Sequence, residues 1–281
     1  MKTFVKLLKE TCHEFSKDKA MRMAAALAYY TIFSVTPLLL IAIGIAARVL
    51  GAKGATEQIF EQLRGLLGDA GAVGIQTMVE SANRPTGSIV AVLIGSVMLL
   101  FGASGVFAEL QDSLNTIWKA PTPPSSGLWS LIKNRFLSFS MVFGIGFLLL
   151  VSLLISAGIA ALGTILQGAV PGFETAAQLA NFLISIVIIA VLFAMLFKLL
   201  PDTPIGWRDV WIGAFATSAM FTIGKFLLGL YLGRSAVVSS YGAAGSLIVV
   251  LSWVYYSSLI LLFGAEFTEV YSRHHGTRKA G

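Results

Sequence analysis

Lys225 is the only charged residue between Val210 and Gly233, a run otherwise apolar and long enough to cross a bilayer. An ammonium at the centre of a span costs about 2.5–3.5 kcal/mol on insertion scales, so its presence points to a task. Ala214, Ser218, Thr222, Lys225 and Gly229 follow one another at spacings of 4, 4, 3 and 4, which puts them on one helical face. Small residues there let a neighbouring helix or a cavity approach the charge. Snorkelling to the outer headgroups is the competing reading. From Lys225 to Gly233 is about 12 Å of helix, a long reach for one side chain.

Two further polar groups could share a site with that lysine. Ser240, Tyr241 and Gly242 precede the last apolar run, and a helix beginning there turns its positive end toward the outer half of the bundle. With Lys225 they favour an anionic group. In the first apolar run Tyr29, Tyr30, Thr31, Ser34 and Thr36 lead to Pro37. Proline frees a backbone carbonyl and kinks the helix, and the hydroxyls are expected to re-satisfy it. Tyr30, Ser34 and Pro37 are therefore expected to line a cavity, with a plain packing kink as the alternative.

At the opposite side, a stripe of Ser88, Ala91, Gly95, Met98, Gly102 and Gly105 delivers Glu109 and Asp112 one turn apart. Glu266 and Glu269 end the last apolar run in the same way. Glu109, Asp112 and Glu266 could form an inner gate or a proton path. The four acids could instead hold the basic N-terminal segment by ion pairs; the bland alternative, favoured over both, is helix-end charge paired with nearby lysines.

The parts for enzymatic chemistry are missing. His13, His274 and His275 lie in terminal segments with no zinc-ligand spacing, and neither a phosphate-binding Gly-x-x-x-x-Gly-Lys-Ser/Thr loop nor a Gly-x-Ser-x-Gly elbow occurs. No metal, cofactor or catalytic residue is expected, and Cys12, alone in the chain, can form no internal bridge. The reading is of a protein that is not an enzyme.

These residues need elements to hold them, and composition says which. Only 12% of the 281 residues are charged against about a quarter in soluble domains, too few to coat a water-facing surface. The expected fold is all-α: six transmembrane helices at about 24–47, 86–108, 136–162, 175–198, 209–233 and 243–266. A cytoplasmic amphipathic segment, 1–23, precedes the membrane domain (24–270), and a cytoplasmic tail, 271–281, follows it. Phe4, Leu8, Cys12 and Phe15 recur at helical spacing, which suits an interfacial helix or one docked on the bundle. The external loop, 48–84, carries a stripe of Ile59, Phe60, Leu63, Leu66 and Leu67, with a weaker one over 73–82, and is read as one or two amphipathic helices. No inverted repeat between the halves is evident.

Loop cations set the orientation. Fourteen Lys/Arg fall on the side of the termini and five on the other, so both termini are expected in the cytoplasm. The net charge of +6 is thus mostly topology and no argument for nucleic acid. The first 23 residues are too charged, and the span after them too long, for a cleavable leader.

Four segments, in order, carry a likeness. They are Lys19-Ala-Met-Arg-Met-Ala-Ala-Ala-Leu-Ala-Tyr-Tyr-Thr-Ile-Phe-Ser-Val-Thr-Pro37, Gly105-Val-Phe-Ala-Glu-Leu-Gln-Asp-Ser-Leu-Asn-Thr-Ile-Trp118, Leu200-Pro-Asp-Thr-Pro204, and Tyr241-Gly-Ala-Ala-Gly-Ser246 leading to Gly264-Ala-Glu-Phe-Thr268. Over nearly the whole chain they resemble the YihY/BrkB family of bacterial inner-membrane proteins. The resemblance implies six spans and, as a class of activity, translocation of lipids or other solutes; it supplies neither a substrate nor site residues. The family also carries the older labels virulence factor and ribonuclease BN, but the zinc-binding histidine motif of that nuclease is absent here.

The expected function is a transporter or lipid/solute translocase in the bacterial inner membrane, acting on an anionic or amphipathic molecule with membrane lipids around it. A non-transporting envelope scaffold or virulence-associated membrane protein is the alternative, and a membrane-bound ribonuclease is disfavoured. A homo-oligomer through the small-residue faces is as compatible with the sequence as a monomer.

Overall fold

A computed structural model describes residues 2–82, 105–121, 173–234 and 243–276. Among these there is helix and turn but no strand. The helices are α1 (Lys2–Lys17), α2 (Ala20–Ala82), α3 (105–117), α4 (Phe173–Leu199), α5 (Trp207–Arg234) and α6 (Ala243–His275).

Three stretches are long and apolar enough to cross a membrane: Phe182–Leu199 in α4, Trp207–Tyr231 in α5 and Leu247–His275 in α6. They coincide with the last three expected spans. The first expected span, 24–47, is helical as part of α2, whereas 136–162 and most of 86–108 lie outside the described residues. Apolar side chains on these helices point outward in helical rows. Leu179, Phe182, Leu183 and Val187 are exposed on α4, and Ile223, Phe226, Leu227, Leu230 and Tyr231 on α5. Rows of this length are an aggregation hazard in water and an ordinary surface in lipid.

The residues fall into two compact units. One holds Met1–Thr11, Leu114–Met220 and Gly264–Gly281, the other Cys12–Ser113 and Phe221–Phe263.

In the second unit, α2 runs helical for 63 residues where a span and a separate loop were expected. It is not straight. Leu39 and Phe60 belong to one buried cluster with Ile75, Val79 and Val250, yet 21 residues of straight helix would part them by about 31 Å. Gly51, at φ 74°, supplies the left-handed residue at which such a run can change direction. From the expected external stripe Ile59, Phe60 and Leu63 pack in this cluster, as do Ile75, Met78 and Val79 from the weaker one. Burial of apolar area, at about 25 cal/mol per Å², therefore ties residues 59–79 to the unit's core.

The first unit is held by an antiparallel crossing of α5 and α6. A Cβ added at Gly213 would overlap the Thr268 hydroxyl, and one at Gly264 would overlap that of Thr217. Each threonine sits on the other helix's glycine, four residues from its own. Both hydroxyls donate to those nearby carbonyls, Thr217 Oγ1 to Gly213 O at 2.7 Å and Thr268 Oγ1 to Gly264 O at 2.6 Å. The polar atoms are satisfied inside each helix, so the apposed backbones meet without orphaned groups.

Candidate functional site

Lys225 stands on α5 in the second unit, half-buried. Its neighbour Gly224 is the contact residue: a Cβ there would lie 2.7 Å from both the Tyr256 ring and Ile260 Cδ1 of α6. The exposed apolar row runs through Ile223, Phe226 and Leu227, so Lys225 lies between the packed face and the lipid-type face. One turn further on, Gly229 has no atom of the described residues within 4 Å of an added Cβ. The expected small-residue face is thus closed at Ala214 and Ser218, both fully buried, and meets no described residue at Gly229. The tightest contacts use the adjacent row, Gly213, Thr217 and Gly224.

Tyr30 lies against α3, its ring where a Cβ on Gly105 would have to stand. Tyr29 makes edge contacts with Tyr30 and Phe33, at 5.8 and 5.0 Å between centroids. Thr31 Oγ1 donates to Leu27 O at 2.7 Å and Ser34 Oγ to Thr31 O at 3.1 Å. These hydroxyls therefore serve the carbonyls of Leu27 and Thr31, six and two residues before that of Phe33, which Pro37 frees. Thr36 is the hydroxyl in register with the freed Phe33 carbonyl, and its buried Oγ1 has no partner among the described residues. Pro37 itself is helical within α2. Ser240, Tyr241 and Gly242 lie outside the described residues.

The three expected gate acids divide between the units. Glu109 and Asp112 stand on α3 in the second unit, where burial and then the Asp112 charge push the Glu109 carboxyl up, while Arg22 draws it down. Glu266 belongs to the first unit, where it is 1% exposed. Acids and bases also pair across helices there. Glu10 of α1 takes His274 Nε2 at 2.8 Å and an Arg273 guanidinium nitrogen at 3.3 Å, and Arg273 also reaches Glu269 at 3.2 Å. The N-terminal helix is thus docked on α6 through its own acid and the bases of α6. Its buried positions are Leu7, Thr11 and Glu14; Cys12, expected on the apolar face, is exposed.

Two polar anchors had not been singled out from the sequence. Asp209, 1% exposed in the first turn of α5, accepts the Ser272 hydroxyl at 2.8 Å, and its carboxylate occupies the space a Cβ at Gly276 would need. An acid in a helix's first turn was the available signal. Asn115 grips Asp202 twice, Nδ2 donating to Oδ2 and Oδ1 accepting from the backbone N, both at 2.8 Å. Lys198 steadies the same connection by donating to the Ile205 carbonyl and lying 5.5 Å from the Trp207 ring centroid. The second and third of the quoted sequence segments therefore meet at Asn115 and Asp202.

No group of three His, Cys, Asp or Glu able to hold a metal occurs among the described residues. What the fold defines is an all-helical membrane protein with a lysine inside one span. The family model of virulence factor BrkB matches residues 11–281, and the chain belongs to that family. Curated relatives include the UPF0761 membrane proteins of Pseudomonas paraeruginosa, 28% identical over 90% of this chain and 59% of the relative, and of Halorhodospira halophila, 28% over 90% and 54%. That of Rhodospirillum centenum is 26% identical over 94% of this chain and 57% of its own length. The chain spans a little over half the length of these relatives. No solved structure matches.

Proposed function

We propose that the chain is a transporter or lipid/solute translocase of the bacterial inner membrane, moving an anionic or amphipathic molecule with both termini in the cytoplasm. The observation that carries this reading is Lys225: a half-buried ammonium within the Trp207–Tyr231 span, one turn from Gly229, beside which no described residue lies. Charge at such depth is expensive, and a substrate anion or a water path would offset the cost. Ser240, Tyr241 and Gly242 would complete the anion site. Tyr30, Ser34 and Pro37 would border the path, and Glu109, Asp112 and Glu266 would serve as gate or proton relay. No catalytic step is part of the proposal.

A non-transporting scaffold is the second reading, and the interlocked Gly213–Thr268 and Gly264–Thr217 contacts favour it, since they seal the helices they join. Purified protein in vesicles carrying a fluorescent anionic lipid separates the two. Translocation by the parent protein, reduced at least tenfold in Lys225→Ala, supports transport; that loss corresponds to about 1.4 kcal/mol. Movement no faster than in empty vesicles contradicts lipid translocation, and equal rates in parent and variant contradict the role given to Lys225.

A further inference from the structure

Where α1 gives way to α2, the second unit has a pocket of about 510 Å³ lined by Cys12, Phe15, Ser16, Lys19, Met21, Arg22 and Phe263. The volume is that of a small-molecule site. Its walls are mostly apolar, with Phe15 and Phe263 in edge contact at 5.6 Å between centroids. Its two charged members are both cations.

The turn that presents them is fixed by the backbone. Lys19 has a φ of 59°, its N–H bonds Ser16 O at 3.2 Å, and its carbonyl accepts the Arg22 N–H at 2.8 Å. Lys19 and Arg22 therefore stand three residues apart at the start of a helix. Among the nearby acids, Glu14 is buried and paired with Lys17 at 3.2 Å, and Asp18 adjoins Lys19 in the chain. Glu109 feels the Arg22 charge.

We propose that this pocket binds one anionic phospholipid of the surrounding bilayer, its phosphate at Lys19 and Arg22 and an acyl chain along Phe15, Met21 and Phe263. Two cations beside an aromatic wall match a molecule with one charged and one oily end. A free phosphate would leave the wall unused, and a zwitterionic lipid would bring its own ammonium against Lys19. The site needs only a membrane around the chain and is independent of any transport.

Cys12, exposed on the pocket wall and the only thiol in the chain, reports occupancy without a label being added beforehand. The full chain is placed in nanodiscs of phosphatidylethanolamine with or without phosphatidylglycerol, and maleimide alkylation of Cys12 is timed. Phosphatidylglycerol is expected to slow the reaction about tenfold, as for a ligand near ten times its Kd. In Lys19→Gly/Arg22→Gln the slowing disappears, and Lys19→Gly alone, which suits the positive φ, loses most of it should the double variant misfold. Lys6→Gln/Lys9→Gln, with the same charge change outside the pocket, keeps it. Equal rates in the two lipids, protection that survives loss of Lys19, or protection lost equally in the Lys6/Lys9 variant would overturn the proposal. So would full protection by glycerol phosphate added to phosphatidylethanolamine discs, which would assign the pocket to a soluble anion.

Discussion

Gly213 and Gly229 stand sixteen residues apart on the same helix in opposite settings. At Gly213 the backbone of α5 carries the Thr268 side chain of α6, with no room for a methyl group. At Gly229 a methyl group would meet nothing among the described residues. A small residue in a membrane helix is thus two different devices. It lets backbones meet in one place and, among the described residues, meets no neighbour in another, and only the partner helix decides which.

The largest expected effect breaks the first setting. Gly213→Leu or Gly264→Leu should yield little folded protein on size exclusion, because neither crossing can open without losing the other. Gly213→Ala should cost about 1–3 kcal/mol, the usual toll of overpacking, read as a lowered Tm in detergent. Combined with Thr268→Ala, part of that loss should return, and a coupling of at least about 0.5 kcal/mol would prove the contact direct.

Next in size is the latch of the same unit. Asn115→Ala removes two exposed hydrogen bonds to Asp202 and should cost about 1–2 kcal/mol in the same melt.

Glu109 probes the second unit. Its carboxyl is pushed up by burial and by Asp112, so the folded state keeps this proton to higher pH than the unfolded chain does. Its contribution to stability is present in acid and lost as pH rises through the raised value. Glu109→Gln, neutral throughout, should therefore melt above the parent at neutral pH and converge with it below the ordinary carboxylate range. Parallel melting curves at every pH would count against the burial effect.

Smallest is the change that sharpens the opening contrast. Gly229→Ala should be neutral to stabilising by up to about 1 kcal/mol, the helix-propensity gain, where the same substitution at Gly213 is destabilising.

How far these features could be read from residues alone varied with their cause. The spans of α4, α5 and α6 were legible because lipid selects composition, which needs no partner to be recognised. The locked row on α5 was missed by one residue. Ala214, Ser218 and Thr222 are as small as Gly213 and Thr217, and periodicity cannot say which of two adjacent small rows meets a helix. Thr11 and Glu14 of α1 were passed over for a related reason. They are buried polar residues, and an apolar stripe search selects Leu8 and Cys12 instead. The docking of Glu10 on Arg273 and His274 joins residues more than 260 positions apart, and the Asn115–Asp202 latch joins residues 87 apart. Nothing local in the sequence marks either pairing. That residues 48–82, read as one or two separate amphipathic helices, continue the first span in a single helical run was not legible, because Gly51 at φ 74° takes the change of direction inside the run.

The central claim is that water or substrate reaches the middle of α5. Lys225→Cys in a Cys12→Ser background, treated in intact vesicles with membrane-impermeant thiol reagents from each side in turn, tests it most directly. Labelling from at least one side, at rates approaching those of an exposed surface cysteine, is the predicted result and gives the direction in which the path opens. A folded, inserted protein that labels from neither side would contradict the claim and leave a sealed scaffold as the better account.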